Sequence, residues 1–358
     1  MKRFVLLLAL LCLLPCGARA ATLPAELQDF ARAQDIALGE DAPTDAAGFT
    51  EEVLAVFERL RPALGKSLRR GIRAAVLQVL VVLLASLFSG IHSGAAGEKT
   101  VNAAPLAALL AMASLAVTEL DSLLKVSLSL LDELQGFADA LLPALAASVA
   151  ATGAIGSATA QQALTAWVSS LFIHGLHEWM PPLIFCYALL CTAACALGDE
   201  RLQRLTAGVK KVVRWCLVGI VSLFSAYLSL SQLLSGSSDA VSIKITKAAL
   251  SGAVPVVGDI ISDTAETVLA GAGMMKNAIG IFGLVTVISC CALPFFSLLL
   301  QYIAYRAAAL ACAVAEGGKL TEYLDGLGDA FALMLGMVGS AAVMLFVSIF
   351  AALAVMIP

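Results

Sequence analysis

Residues 278–303 read AIGIFGLVTVISCCALPFFSLLLQYI and contain no charged side chain. A helix of this length rises by about 39 Å, which exceeds the roughly 30 Å hydrocarbon core of a bilayer. A strand of an outer-membrane barrel would instead alternate apolar and polar positions over about ten residues. The segment therefore predicts a membrane-spanning helix.

Comparable apolar runs lie on both sides of this segment. Strong spans are predicted at residues 72–91, 212–234, 278–303 and 331–357. Weaker apolar stretches occupy residues 103–117, 137–155, 161–180, 183–197 and 248–275, and Pro143 is expected to kink one of them. The shorter stretches have an alternative interpretation as re-entrant or interfacial segments. We expect an all-α fold, a polytopic membrane helix bundle of about 5–7 spans.

The composition of the 358-residue chain supports the same fold class. It is 60% hydrophobic and only 13% charged, whereas a soluble domain carries roughly 25% charged residues. Its abundant small residues suit close packing between membrane helices. The formal net charge of −4 argues against nucleic acid as a partner.

The N-terminus has the pattern of a secretory signal peptide. Lys2 and Arg3 precede an apolar core at residues 4–14, and Ala18-Arg19-Ala20 fits a small-x-small cleavage site. An uncleaved anchor helix is the alternative. We predict a signal peptide at residues 1–20, a short exported helical region at 21–71 and a polytopic membrane domain at 72–358.

The charges flanking the spans do not give one orientation. Residues 199–214 are rich in Lys and Arg, which predicts a cytoplasmic loop. Lys66, Arg69, Arg70 and Arg73 precede the first span, where a cleaved signal would leave the chain outside the cell. The signal is the stronger guide for the N-terminal region, and the parity of the spans stays open.

Neither histidine nor cysteine spacing predicts a metal or redox site. His174, His177 and Glu178 occur in the order H-G-L-H-E, which is not the H-E-x-x-H pattern of zinc enzymes. No C-x-x-C pair occurs among the nine cysteines, so those in the apolar segments are interpreted as small packing residues. We expect no cofactor and no enzyme activity.

The segment SGAVPVVGD at residues 251–259 interrupts the apolar pattern. Its two glycines and one proline are incompatible with a regular helix through that point. Irregular or polar backbone at membrane depth is tolerated only inside protein or beside water. One interpretation is therefore a pore-lining or interface element, and the other is an ordinary turn. The candidate residues of the element are Gly252, Pro255, Gly258, Asp259, Asp263, Glu266, Lys276 and Asn277.

The same region resembles a known family. The run KAALSGAVPVVGD at residues 247–259, then SDTAETVL at 262–269 and KNAIGIFG at 276–283, is similar to the central signature of stage III sporulation protein AE. The layout of a signal, a short exported region and a polytopic body also resembles that family. The resemblance is specific over about residues 244–305.

This resemblance implies a role in endospore formation. Family members are expected in the mother-cell membrane around the forespore, as subunits of a multiprotein channel that resembles specialised secretion systems. The implied partners are the other membrane proteins of the stage III operon, through them a forespore membrane protein, and a membrane insertase for assembly. The family provides no catalytic residues to transfer.

Two other classes of function compete with a channel subunit. A secondary transporter for a small solute would show paired broken helices in its two halves, and the sequence has one such break without a convincing mate. An intramembrane protease would need a nucleophile or metal set at membrane depth, and none is visible.

Overall fold

The computed structural model describes residues 46–95, 104–151, 157–235, 258–315 and 318–354. Within these ranges the chain forms six α-helices and no strand. They are α1 (Ala46–Ala95), α2 (Ala104–Ala151), α3 (Ser157–Leu197), α4 (Glu200–Ser235), α5 (Gly258–Ala315) and α6 (Lys319–Ala354). The predicted all-α class is confirmed.

Every one of the six helices contains a segment long and apolar enough to cross a membrane. These candidate spans are Leu60–Phe88, Leu106–Ser148, Trp167–Leu197, Glu200–Ser231, Ile279–Val314 and Lys319–Leu353. The count lies within the predicted range of about 5–7, so the prediction of a polytopic membrane bundle is confirmed. The proposed signal peptide, residues 1–20, lies outside the described residues.

Helices α5 and α6 form the centre of the bundle. In each of them 61% of the most apolar stretch of residues is buried inside the bundle. The corresponding stretches of the other four helices are 22–39% buried. Gly280 lies against Leu353 at one end of this antiparallel hairpin, and Gly328 lies against Arg306 near the other end. The absence of a side chain at Gly280 lets the two helices approach closely.

The remaining helices surround this hairpin. Helix α1 runs parallel to α5, with the Ser67 hydroxyl 2.9 Å from that of Ser297. Helix α2 is antiparallel to α5, and the rings of Phe137 and Phe282 lie 6.3 Å apart. Helices α3 and α4 pack on α6, where Ser169 lies 3.2 Å from Ser348 and the side chain of Leu217 contacts Gly336.

A tight turn joins α3 to α4. Gly198 has a φ of 64°, and its amide donates to the Ala194 carbonyl at 2.9 Å, closing the last turn of α3. The next residue, Asp199, accepts a hydrogen bond from the Arg201 amide at 2.8 Å and caps α4. Two long antiparallel helices therefore meet with only two residues between them.

Two of the helices join apolar stretches that the sequence pattern separated, and both contain proline. Residues 103–117 and 137–155 were expected as separate elements, yet α2 runs from Ala104 through Pro143 to Ala151. Likewise Pro181 and Pro182 lie inside α3, which joins the stretches expected at 161–180 and 183–197. Neighbouring helices can satisfy the backbone groups that a proline frees, so a packed helix tolerates it.

Helix α1 also continues across the predicted boundary between residues 71 and 72. The Gly71 backbone already packs on Gln301 of α5, and Ser67 contacts the same helix. The described part of the region that was predicted to be exported is therefore continuous with the bundle.

Candidate functional site

The candidate element predicted from the sequence lies only partly within the structure. Gly252 and Pro255 lie outside the described residues. Gly258 is the first residue of α5, which then continues as one helix to Ala315. The N-terminal third of α5 therefore contains Asp259, Asp263, Glu266, Lys276 and Asn277, whose side chains lie outside the described part. Their role stays a prediction.

A network of four charged side chains joins α4, α5 and α6. Lys210 of α4 and Arg306 of α5 both form ion pairs with Asp329 of α6, the latter pair at 2.8 Å. Arg306 also pairs with Asp325, one turn before Asp329. The side chain of Asp329 is only 12% exposed, so this carboxylate is the centre of the network.

Aromatic and polar contacts surround the network. The Tyr187 hydroxyl of α3 donates to the Gly326 carbonyl at 3.1 Å, and Arg306 lies 5.5 Å from the Tyr302 ring centroid. On the same face of α3 and α6, the hydroxyls of Thr192 and Tyr323 are 3.5 Å apart. Ion pairs and hydrogen bonds thus connect α3, α4, α5 and α6 at the end of the bundle that contains Asp329. This arrangement favours a structural role for the network.

The charged network was not predicted from the sequence. Lys210 was counted only as part of a basic loop, and Arg306 and Asp329 were not singled out. A signal was nevertheless present, because Arg306 and Asp329 are charges of opposite sign that directly flank the apolar runs at 278–303 and 331–357. Charges within membrane segments usually pair with one another.

A second feature is the outward side of α2, which changes character along the helix. Exposed Leu106, Leu110 and Val117 make its first part apolar. Between residues 121 and 139 the outward side is mainly polar, although Val126 is exposed there, and its polar residues define the α2 polar face: Asp121, Lys125, Ser129, Asp132 and Asp139. Asp121 and Lys125 pair at 2.7 Å, and Asp132 lies 3.4 Å from the His177 ring of α3.

The α2 polar face lies beside the most apolar part of the bundle. Phe137, between Asp132 and Asp139, contacts Phe282, and Leu141 packs against Gly283. Residues 282 and 283 belong to the long uncharged run of α5. The charges of α2 therefore lie alongside a segment whose composition requires a bilayer.

The opposite flank of the bundle is apolar at the same height. Helix α6 lies between α5 and α4. Its Ile349 lies against Gly283 of α5, and its Gly336 lies against Leu217 of α4. Beyond the exposed charges Lys211 and Arg214, large apolar side chains of α4 are exposed there, namely Val218, Leu223 and Leu230. Neither lipid nor water alone suits both flanks, because lipid penalises the charges of α2 and water penalises the apolar side of α4.

The histidines and cysteines form no metal site in the part of the chain that the structure describes. No group of three or more His, Cys, Asp and Glu side chains there is arranged to hold an ion. Cys191 and Cys195 are buried on one face of α3, and Cys191 packs against Gly326. These two thiols are packing groups between α3 and α6.

Comparisons with known proteins agree with these features. A family model described as Stage III sporulation protein AE matches residues 47–356. Stage III sporulation protein AE of Bacillus subtilis (strain 168) is 23% identical over 213 residues, which cover 59% of this chain and 53% of that relative. The match thus spans about half the length of the relative. No solved structure matches the chain.

Proposed function

Because the chain belongs to the stage III sporulation protein AE family, and so has a role in sporulation, we propose that it is a membrane subunit of a channel complex between mother cell and forespore. The complex resembles a specialised secretion system and is required for endospore development. The chain would lie in the mother-cell membrane that surrounds the forespore. No catalytic step is assigned to it.

One structural observation supports a subunit of an assembly over a bundle that functions alone. The α2 polar face and the apolar flank of α4 lie at the same height. If lipid covers the α4 flank, then Asp132 and its neighbours need a protein or an aqueous path beside them. Suitable partners are the other membrane proteins of the stage III operon, with a forespore membrane protein reached through them and an insertase acting during assembly.

Deleting the gene in a spore-forming host tests this proposal. We expect engulfment to finish and late forespore gene expression to fail, because the channel is needed after engulfment. A reporter expressed late in the forespore measures this outcome, and a plasmid-borne copy of the gene should restore it. Normal late expression in the deletion strain would contradict the proposal.

The alternative function is a secondary transporter for a small solute. The same deletion strain would then lose uptake of one solute in growing cells as well as in sporulating ones. Uptake measurements before and during sporulation distinguish the two functions, since a channel subunit predicts no defect during growth.

The element predicted from the sequence has its own test. The double variant Asp259→Asn, Asp263→Asn is expected to reduce the number of heat-resistant spores without lowering the amount of the protein, because carboxylates kept in a membrane protein usually have a role. Immunoblotting gives the protein level. The matched control is Asp199→Asn, Glu200→Gln at the exposed start of α4. Wild-type sporulation of the first variant would remove the assignment of this element.

A further inference from the structure

The outward side of α1 carries a strip of basic side chains. Between residues 61 and 73 the helix has five cations and no acid. All five side chains are exposed, and none forms an ion pair with a residue that the structure describes. These residues define the α1 basic strip: Arg61, Lys66, Arg69, Arg70 and Arg73.

The α1 basic strip lies beside the uncharged run of α5. Ser67 contacts Ser297, and Gly71 packs on Gln301. Because α1 runs parallel to α5, the strip follows the second half of the run at 278–303. Lipid at this depth would leave five cations without counter-ions, whereas charges within membrane segments usually pair with one another. The strip therefore needs anionic side chains of a protein beside it.

The α2 polar face lies on the same flank of the bundle as the strip. Arg69, Arg73 and Glu119 line one open cavity between α1 and α2. Residues 119–139 of α2 contain five acids and one lysine, Lys125, which pairs with Asp121 at 2.7 Å. A basic helix and an acidic helix thus stand side by side, yet within the described residues no ion pair joins them.

The two sets of charges also lie at matching heights. The Gln78 side chain of α1 donates to the Met112 carbonyl of α2 at 3.2 Å, which fixes the register of these antiparallel helices. Nine residues along each helix from this contact bring Arg69 level with Asp121. By the same count, position 61 lies within one helical turn of position 132.

We propose that a second copy of the chain covers this flank and forms a two-fold dimer. Both copies insert into the membrane the same way round, so the two-fold axis runs along the membrane normal. Rotation about that axis keeps every height, and it sets α1 of each copy opposite α2 of the other. Arg69 then meets Asp121 of the partner subunit, and Arg61 meets Asp132 of the partner subunit. The inference rests on the proposed function in one respect, since the protein that the α2 polar face needs is here a second copy.

The same flank continues beyond the charges as an apolar surface. Leu77 and Leu84 are exposed on α1, and Leu110 and Leu115 are exposed on α2. A flank two helices wide and about 40 Å high would bury about 800 Å² on each copy, which is the standard size of a stable interface. The dimer therefore combines complementary charges with an apolar contact.

Charge reversal tests the pairing between the copies. The full chain is purified in a mild detergent, and the mass of the particle is measured by light scattering. The wild type should contain two chains. The variant Arg61→Glu, Arg69→Glu has two acidic helices on the flank, and Asp121→Lys, Asp132→Lys has two basic ones. Each variant alone should associate at least about tenfold more weakly, because like charges then face each other.

A mixture of the two variants provides the rescue. The acidic α1 of one variant then faces the basic α2 of the other, and the second pair of helices is complementary as well, so the mixture should form a dimer of one chain each. The control Arg201→Glu, Lys211→Glu reverses two exposed cations of α4 and should associate as the wild type does. A wild type of single chains, or variants that associate as well alone as in the mixture, would overturn the dimer.

Disulfide trapping does not depend on reversed charges. Two chains with different tags, one with Arg69→Cys and the other with Asp121→Cys, are expressed together, and their membranes are oxidised. We expect a covalent pair that carries both tags. Arg61→Cys with Asp121→Cys is the control and should give little of it, since about 12 Å of helix height separates these positions. Equal yields from the two combinations, or an adduct of the Asp121→Cys chain with a different protein, would contradict the dimer. Neither result alters the phenotype of the deletion strain, so this inference and the proposed function fail separately.

Discussion

Replacing Asp329 by alanine is expected to lower the free energy of unfolding by about 3 kcal/mol. Its carboxylate is the shared partner of Lys210 and Arg306, both of which are about a third exposed or less. Removal of Asp329 leaves Lys210 without its counter-ion in a poorly solvated position, and it leaves Arg306 with Asp325 alone. Unfolding in mixed micelles, followed by helical circular dichroism, measures the loss.

A matched control separates this effect from a general cost of losing an ion pair. Glu200 pairs with Arg204 at 3.2 Å, and both side chains are more than three-quarters exposed. Glu200→Ala should therefore change the free energy of unfolding by about 0.5 kcal/mol or less. Adding Lys210→Met to Asp329→Ala should recover part of the stability, because it removes the charge that lost its counter-ion. Equal losses in the two single variants would show that the network has no special role.

The variant Gly283→Leu is expected to cost about 2 kcal/mol or more through overpacking. At this position α2, α5 and α6 meet, and a β-carbon on Gly283 would lie 2.8 Å from Leu141 Cδ2 and 3.2 Å from Ile349 Cδ1. A whole leucine side chain has no space there unless the helices separate. The midpoint of unfolding in mixed micelles measures the change.

Gly219 of α4 offers the corresponding control. A β-carbon at that position would have no neighbour within 4 Å. Gly219→Leu should leave stability unchanged or raise it slightly, because leucine has the higher helix propensity. A destabilisation as large as that of Gly283→Leu would mean that the three helices are not closely packed at Gly283.

The apolar runs of the sequence predicted the fold class well. In a membrane the length and composition of a run decide whether it is a helix that crosses, so residues 278–303 and 331–357 were informative by themselves. Helix ends were less predictable. Pro143, Pro181 and Pro182 look like breaks to any local rule, but each lies within a helix that packs on its neighbours.

The contacts between distant residues could not be predicted from local patterns. Lys210 and Asp329 are 119 positions apart, and their pairing follows from the packing of α4 on α6. In the same way, the charged residues of α2 are visible in the sequence. Its position beside Phe282 of α5 depends on how the two helices align.

The central claim is that a partner covers the α2 polar face while α4 faces lipid. A photo-crosslinking amino acid at position 132, in place of Asp132, tests this claim in sporulating cells, with the same amino acid in place of Val218 on α4 as the control. We predict adducts with another protein from position 132 and none from position 218. Adducts with lipid alone at position 132, or the same protein adducts from both positions, would contradict the account.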